Sequence, residues 1–337
     1  MKHASWTLAA FATLLLAGTA GAQAPANSVD SHIAAARAAA GADYRNTLLN
    51  LCPLFPLAQP GAGRGGAAGA GRGAAPATPD RANWYAPPLK VFDNLYWLGT
   101  RQHSSWALVT SAGIIIIDTN FAWATDPEIV EGLTKLGLNP RDIKYVVISH
   151  AHGDHDQGAA ELQKRYGAKV VMGNPDWDAT LARPATAAGG VPTRDIGVGR
   201  EGMKLTLGDT TMNIVFTPGH SPGTLSYTFP VKDQGRTLQV AYSGGTLTGN
   251  FGADGPRWDE YVASQKAIAA AAAAAGATVV LSNHSEYDNA YTKARLIPSA
   301  RQVGESHPFI VGADSVQRYF TVMQECAMAG KLRNNAK

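Results

Sequence analysis

Six potential metal ligands, drawn from three separated stretches, constrain this chain more than any other feature. The first stretch is Ser149-His150-Ala151-His152-Gly153-Asp154-His155. The second holds His220 in Thr217-Pro218-Gly219-His220-Ser221-Pro222-Gly223-Thr224, and the third holds His284 in Leu281-Ser282-Asn283-His284. Imidazole and carboxylate are ordinary zinc ligands, and a site that keeps a position open for water is catalytic rather than structural. Six such ligands suit two neighbouring zinc ions with a water or hydroxide between them. A single histidine is most often an ordinary polar side chain. The set is different, because its spacing in a tight loop leaving a buried strand aims His150 and His152 at one ion and turns Asp154 and His155 toward a second. His220 then completes the first trio and His284 the second.

The surrounding pattern is one of alternating strands and helices. Gly113-Ile114-Ile115-Ile116-Ile117-Asp118 is a continuous β-branched run, as expected of a strand buried on both faces, and Lys144 to Ser149 is another that delivers the metal motif at its C-terminal end. Further strands are expected at Val91–Gly99, Trp106–Thr110, Lys169–Met172, Met203–Leu207, Met212–Thr217, Thr224–Phe229, Leu238–Ser243 and Thr278–Ser282. Helices are expected at Ser31–Gly41, Tyr44–Leu51, Pro127–Leu136, Gln157–Tyr166, Trp258–Ala275 and Ser315–Met328. The helix from Trp258 is nearly all alanine in its second half and stops at Gly276. The result is an α/β chain with helices on both outer faces of its sheets and ligands in the loops after strand ends. Trp177 and the irregular segment Arg183 to Arg194 are expected to cover the site.

The N-terminus reads as a secretory signal: Lys2, an apolar run from Trp6 to Leu16, then Ala22-Gln23-Ala24. The run is short for a bilayer span, so cleavage after Ala24 and release to the periplasm or outside are expected, with no membrane attachment afterwards. Removing Lys2 takes the formal charge from +3 to +2, which gives no sign of a nucleic-acid binder. Residues 25–83 form an arm whose Gly61–Ala77 stretch, rich in glycine, alanine and arginine, has no apolar periodicity and reads as a tether. A second unit, 84–337, carries the six potential ligands. Cys52 and Cys326 are the only cysteines. In an oxidising compartment they pair and pin the arm to the last helix, the alternative being two separate buried thiols.

His150-x-His152-x-Asp154-His155, with His220 and His284, resembles the metallo-β-lactamase superfamily over roughly Phe92 to Met328. The resemblance implies a four-layer αββα sandwich of two similar halves, and gives Asp118 a role supporting the metal loop rather than binding metal. Glyoxalase II and the acyl-homoserine lactonases of that superfamily carry an aspartate that bridges both metals, where this chain has Gly245. The first subclass of class B β-lactamases has a cysteine one residue later, where this chain has Thr246, and the second replaces the first histidine, which here is His150. The third subclass remains, with hydroxyl residues at Thr246 and Thr248 to hold a substrate carboxylate. The chain departs from it at His284-Ser285-Glu286-Tyr287 and at Gln157.

The implied activity is hydrolysis of the β-lactam amide by a hydroxide shared between two zinc ions, with Asp154 orienting it and no serine or cysteine nucleophile. A monomer acting on a small-molecule substrate is expected, with Ser221 and His103 beside the pocket. His103 reads equally as a surface or supporting histidine, and Ser221, with no base to activate it, as structural. His307 and His32 read as structural. Two alternatives stay open: the same scaffold cleaving another ester, lactone or amide, and a non-catalytic periplasmic metal- or polymer-binding protein.

Overall fold

The computed structural model describes residues 27–52, 78–246, 251–297 and 305–335. The signal segment, the Gly61–Ala77 stretch and Thr248 lie outside the described residues.

One sheet has seven strands in sequence order: β1 (Leu89–Lys90), β2 (Leu95–Trp97), β3 (Trp106–Thr110), β4 (Gly113–Ile117), β5 (Ile143–Val147), β6 (Lys169–Gly173) and β7 (Ile196–Val198). The second comprises β8 (Met203–Leu207), β9 (Thr210–Phe216), β10 (Leu225–Asp233), β11 (Arg236–Ser243) and β12 (Val279–Ser282), with β12 on the edge beside β11. Pairing is antiparallel up to β4 and parallel from β4 through β7. In the second sheet the β11–β12 pair is parallel.

The isoleucine run explains the layering. Ile115 and Ile117 enter the core between the sheets, with Val147, Tyr227, Phe229 and Leu281. Ile114 and Ile116 point the other way, into a layer with Leu133, Leu162 and Trp177. A strand covered on both faces has no polar side to alternate with. Each such buried side chain contributes about 1.5–3 kcal/mol relative to exposure. On the far side, Ala241 and Val280 meet helices Val29–Ala40, Arg45–Leu51, Gly255–Ala275 and Ala313–Arg333. Helices therefore enclose both sheets, in the αββα order.

Ala36, Ala40, Tyr44, Leu48 and Leu51 belong to that last layer. The first part of the expected arm is thus packed into the body, and the boundary at residue 84 marks a change of sequence texture. Cys52 is bonded to Cys326, joining helix Arg45–Leu51 to helix Ala313–Arg333. Strands β1 and β7 and helix Asn174–Leu181 carry no clear sequence signal. Trp177 does not cover the site: it is fully buried in the outer layer, and its indole N–H donates to the Ile196 carbonyl at 2.8 Å. The segment after it runs along helix Ala159–Tyr166, where the Gln163 amide bonds both Thr193 N and Thr193 O. Its first residue, Arg183, meets the metal-motif loop through the Ala151 carbonyl and Asp156.

Two stability predictions follow from this packing. Removing the cross-link with Cys52→Ala and Cys326→Ala lowers unfolding free energy by about 2–5 kcal/mol, measured by denaturant titration; an unchanged midpoint contradicts it. Glu128, buried in the π-helical segment Thr125–Val130, accepts from Ala86 N at 3.1 Å through Oε1 and leaves Oε2 unpaired. Burial raises its pKa from 4.5 to about 8. The folded state then holds a proton that the unfolded state releases, so stability declines as pH climbs from 4.5 toward 8. Glu128→Gln raises Tm over the parent at pH 9, and the difference shrinks toward pH 4.5; a pH-independent difference contradicts this.

Candidate metal centre

The site assembles where three loops leave strand ends. Asp118, just past β4, receives the backbone N–H of Ser149 on Oδ1 at 2.6 Å and the Ser149 hydroxyl on Oδ2 at 2.8 Å. This fixes where the chain exits β5. His152 then caps the short helical turn Gly153–Asp156, which swings Asp154 and His155 away from His150 and His152. The His220 loop is joined to this one by Asp176. Its Oδ2 accepts from Ala151 N at 2.8 Å and from the Ser221 hydroxyl at 2.7 Å, and its Oδ1 accepts from Gly223 N at 2.8 Å. His284 follows β12 in an isolated antiparallel bridge with His103.

The loops bring all six expected residues together as two adjacent trios. In the first, His220 Nε2 lies 3.0 Å from His150 Nε2 and 3.1 Å from His152 Nδ1. In the second, His155 Nε2 and His284 Nε2 are 3.1 Å apart, and each is 3.2 Å from Asp154 Oδ2. The rings of His150 and His155, one from each trio, have centroids 4.4 Å apart.

The remaining ring nitrogens settle what these contacts are. His150 Nδ1 donates to the Gly244 carbonyl at 2.9 Å, and His220 Nδ1 to the Thr246 carbonyl at 2.5 Å. His155 Nδ1 donates to Asp118 Oδ2 at 3.1 Å. A carbonyl can only accept, so in the neutral rings the Nε2 atoms of His150 and His220 carry lone pairs that face each other. Two facing lone pairs repel unless a cation stands between them. Nitrogens held tetrahedrally by zinc at about 2.0–2.1 Å are about 3.3 Å apart, close to the separations here. The donor set therefore fits a metal in both trios.

Charge is distributed unevenly. Burial, then the neighbouring histidines, pushes His150 well below its ordinary range, and His220 falls to about 3 for the same reasons. His152 is lowered chiefly by burial. Burial also works against a proton on His155, but Asp154 and Asp118 together outweigh it and raise its pKa to about 10. Burial opposes ionisation of Asp154, yet His155 and His284 hold it well below the carboxylate range. His284 is raised because Asp154 and Glu286 outweigh its burial. Without metal, the first trio is a neutral nitrogen cluster and the second a proton-loaded ion cluster. Ligation there must displace protons.

Other expected contacts are distributed differently. The Ser221 hydroxyl is committed to Asp176 and Thr224, so it has a structural role and is not turned toward a substrate. The Thr246 side chain is fully buried, and its Oγ1 has no hydrogen-bond partner. His103 Nε2 is 3.6 Å from Asp154 Oδ2. Burial and His284 push His103 down to about 3. Glu286, whose side chain is 32% exposed, lies 3.6 Å from His284 Nδ1 and accepts from the Gln102 amide at 3.3 Å. His307 donates to the Val91 carbonyl and stacks on Phe92, and His32 pairs with Glu325, so neither is near the site. A Cβ on Gly245 would fall 2.7 Å from both His220 Cβ and Thr224 Cγ2. Sequence reading missed Asp176 and Asn283, whose amide donates to the Gly244 carbonyl at 2.8 Å. Asp176 sits in Asn174-Pro175-Asp176 with no spacing relation to the ligands, so no local pattern marks it.

Asp176→Ala leaves the buried N–H of Gly223 and the N–H of Ala151 without acceptors. It is expected to destabilise the fold by about 2–4 kcal/mol and to weaken metal binding about 10–100-fold, read by denaturant titration and chelator competition. A variant that kept full affinity would show that the two loops hold together without it.

Comparison with known proteins follows this geometry. Residues 98–233 match the family model of the metallo-beta-lactamase superfamily. Among solved structures, BJP-1, a subclass B3 metallo-beta-lactamase of Bradyrhizobium japonicum, is 30% identical with a TM-score of 0.59, over 71% of this chain and 91% of that one. FEZ-1 of Legionella gormanii, 24% identical with a TM-score of 0.59, covers 70% of this chain and 91% of its own and shares the fold. Curated relatives include a hydroxyacylglutathione hydrolase of Rhodopseudomonas palustris, 33% identical over 113 residues (34% of this chain, 37% of that one). Another is the N-acyl homoserine lactonase AttM of Agrobacterium fabrum, 29% identical over 114 residues (30% and 41%). The chain spans less than half the length of these curated relatives. Sheets, site and similarities agree: the chain belongs to the metallo-beta-lactamase superfamily, and its structural resemblance is to the subclass B3 enzymes.

Proposed function

We propose that this protein is an exported dizinc hydrolase that opens the amide of β-lactams, with His150, His152 and His220 holding one ion and Asp154, His155 and His284 the other. Gly245 carries the choice of branch. Its missing side chain is required by the packing of His220 and Thr224, so no carboxylate at that position bridges the two trios. The likeness to BJP-1 favours the same branch. Export to the periplasm or outside is supported by the leader-like N-terminus and by the Cys52–Cys326 bond, which persists in oxidising compartments. Among the described residues no helix is long and apolar enough to cross a membrane.

Bound zinc supplies Lewis-acid polarisation of the substrate carbonyl and a water acidified toward neutral pH. The chain's own residues do the rest. Asp154, whose side chain is 20% exposed, accepts a hydrogen bond from the attacking water and orients it. The Nδ1–H donations to Gly244 and Thr246 lock the tautomers of His150 and His220, so each presents a lone pair without reorganisation, while the donation of His155 Nδ1 to Asp118 fixes its ring so that Nε2 is the atom that gives up its proton to ligate. Water adds to the carbonyl carbon and the C–N bond breaks; one of the water's two protons ends on the leaving nitrogen and the other is released as the new carboxylate forms. Thr246 and Thr248 are the proposed contacts for a substrate carboxylate by the resemblance; the Thr246 hydroxyl is unpaired and fully buried, so it reaches a substrate only if the residues over it shift.

A second reading, cleavage of a thioester or lactone, is favoured by the hydroxyacylglutathione hydrolase and lactonase relatives. The mature protein loaded with zinc is expected to turn over a chromogenic cephalosporin, to lose that activity on chelation and to regain it with zinc. His220→Ala or Asp154→Ala is expected to lower kcat/KM about 100-fold or more and to reduce bound zinc. Turnover of an acyl-homoserine lactone or a glutathione thioester, with none on any β-lactam, favours the second reading. Bound zinc with no turnover on any of these makes it a binding protein.

A further inference from the structure

We infer that His103 is a positioning residue for the second trio: an imidazole whose Nε2 presents an N–H, and not a lone pair, to Asp154. The inference rests on the reading of Asp154, His155 and His284 as ligands.

The backbone fixes where His103 stands. Ser104 N donates to the Asn283 carbonyl at 2.9 Å and Ser285 N to the Gln102 carbonyl at 2.7 Å, so the His103 segment is bonded directly to the segment that carries His284. A Cβ on Gly99 would fall 2.4 Å from the His103 carbonyl oxygen, so this tight approach needs glycine there. The ring is wedged between Phe121 and His284, with each centroid 5.1 Å away, and 14% of the side chain is exposed. His103, Asp154 and His284 each offer a ligand atom within 4.8 Å of the others. By distance alone, His103 qualifies as a further ligand.

The tautomer decides otherwise. Thr100 Oγ1 accepts from Gln102 N at 3.2 Å and from His103 N at 2.9 Å. Those bonds use both lone pairs of the hydroxyl, leaving one proton to donate. Its partner is His103 Nδ1, 3.2 Å away. With Nδ1 accepting, the proton of the neutral ring sits on Nε2, which faces Asp154 Oδ2 at 3.6 Å. That gap is slightly longer than a hydrogen bond, and Oδ2 here lies 3.2 Å from both His155 and His284. A donor on its fourth side leaves the carboxylate aimed at those two imidazoles and removes the alternative orientation toward solvent. His103 is thus built to orient Asp154, as outer partners of metal-bound carboxylates do.

The test is zinc stoichiometry and affinity, by competition with a chromophoric chelator, on the folded protein and on His103→Ala, His103→Gln and Thr100→Val. Glutamine keeps an N–H donor at similar reach but is a poor zinc ligand. Wild type is expected to bind two ions. His103→Ala weakens the second about 10–100-fold, His103→Gln restores it to within about 3-fold, and Thr100→Val weakens it because the tautomer is no longer fixed. Unchanged affinity in His103→Ala overturns the inference, leaving His103 as packing. Loss of the second ion in His103→Gln to the same degree as in His103→Ala also overturns it, making His103 a ligand. Wild type that fails to bind a second ion sinks the ligand reading itself.

Discussion

Everything in this molecule turns on imidazole nitrogens forced to face one another at about 3 Å. His150 and His220 have each committed one ring nitrogen to a backbone carbonyl, so the other has only a lone pair to offer its neighbour. Left alone, that arrangement is repulsive, and only a cation relieves it. The second trio solves the same problem differently, holding a carboxylate among its imidazoles and retaining protons that a metal must displace. The fold's task is to keep these groups converged when nothing local favours it.

The two sheets do that work. Because β4 and β5 are packed on both faces, the core sets where the loops leave them. Two buried carboxylates then act as brackets. Asp118 ties the exit of β5 to His155, and Tyr242 donates to the same Oδ2 at 3.0 Å. Asp176 ties the first ligand loop to the second. Neither contributes to either trio, yet each decides where ligands point. The His103 segment adds a third bracket, bonded backbone to backbone with the segment of His284.

How much of this was legible in the sequence depends on the range of the interaction. The Ile114–Ile117 run and the alanine-rich helix with its Gly276 stop are local patterns that the structure bears out; the histidine-aspartate spacing is local too, and its residues converge in space. All six expected ligand positions converge, because loops at strand ends are short and their exits are set by the strands. Strand β7, the burial of Trp177 and the course of residues 183–194 were not legible, since each is set by packing against distant side chains. Asp176 was hidden for the same reason: one aspartate that receives three hydrogen bonds from two other loops has no signature in its own neighbourhood. His103 read equally as a residue beside the pocket and as a surface or supporting histidine; the β-bridge between positions 103 and 284 sets it against His284 and Asp154. The N-terminal helices carried little apolar periodicity, so their integration with the last helix showed only in three dimensions.

Glycine at position 245 illustrates how specificity follows from space. A Cβ there would fall 2.7 Å from both His220 Cβ and Thr224 Cγ2, so no side chain from that position stands between the two trios. The central claim is that both trios hold zinc. The direct measurement is an anomalous difference map collected across the zinc edge on crystals grown with zinc. Two peaks are expected, one among His150, His152 and His220 and one among Asp154, His155 and His284. A single peak, or density away from these side chains, would contradict it.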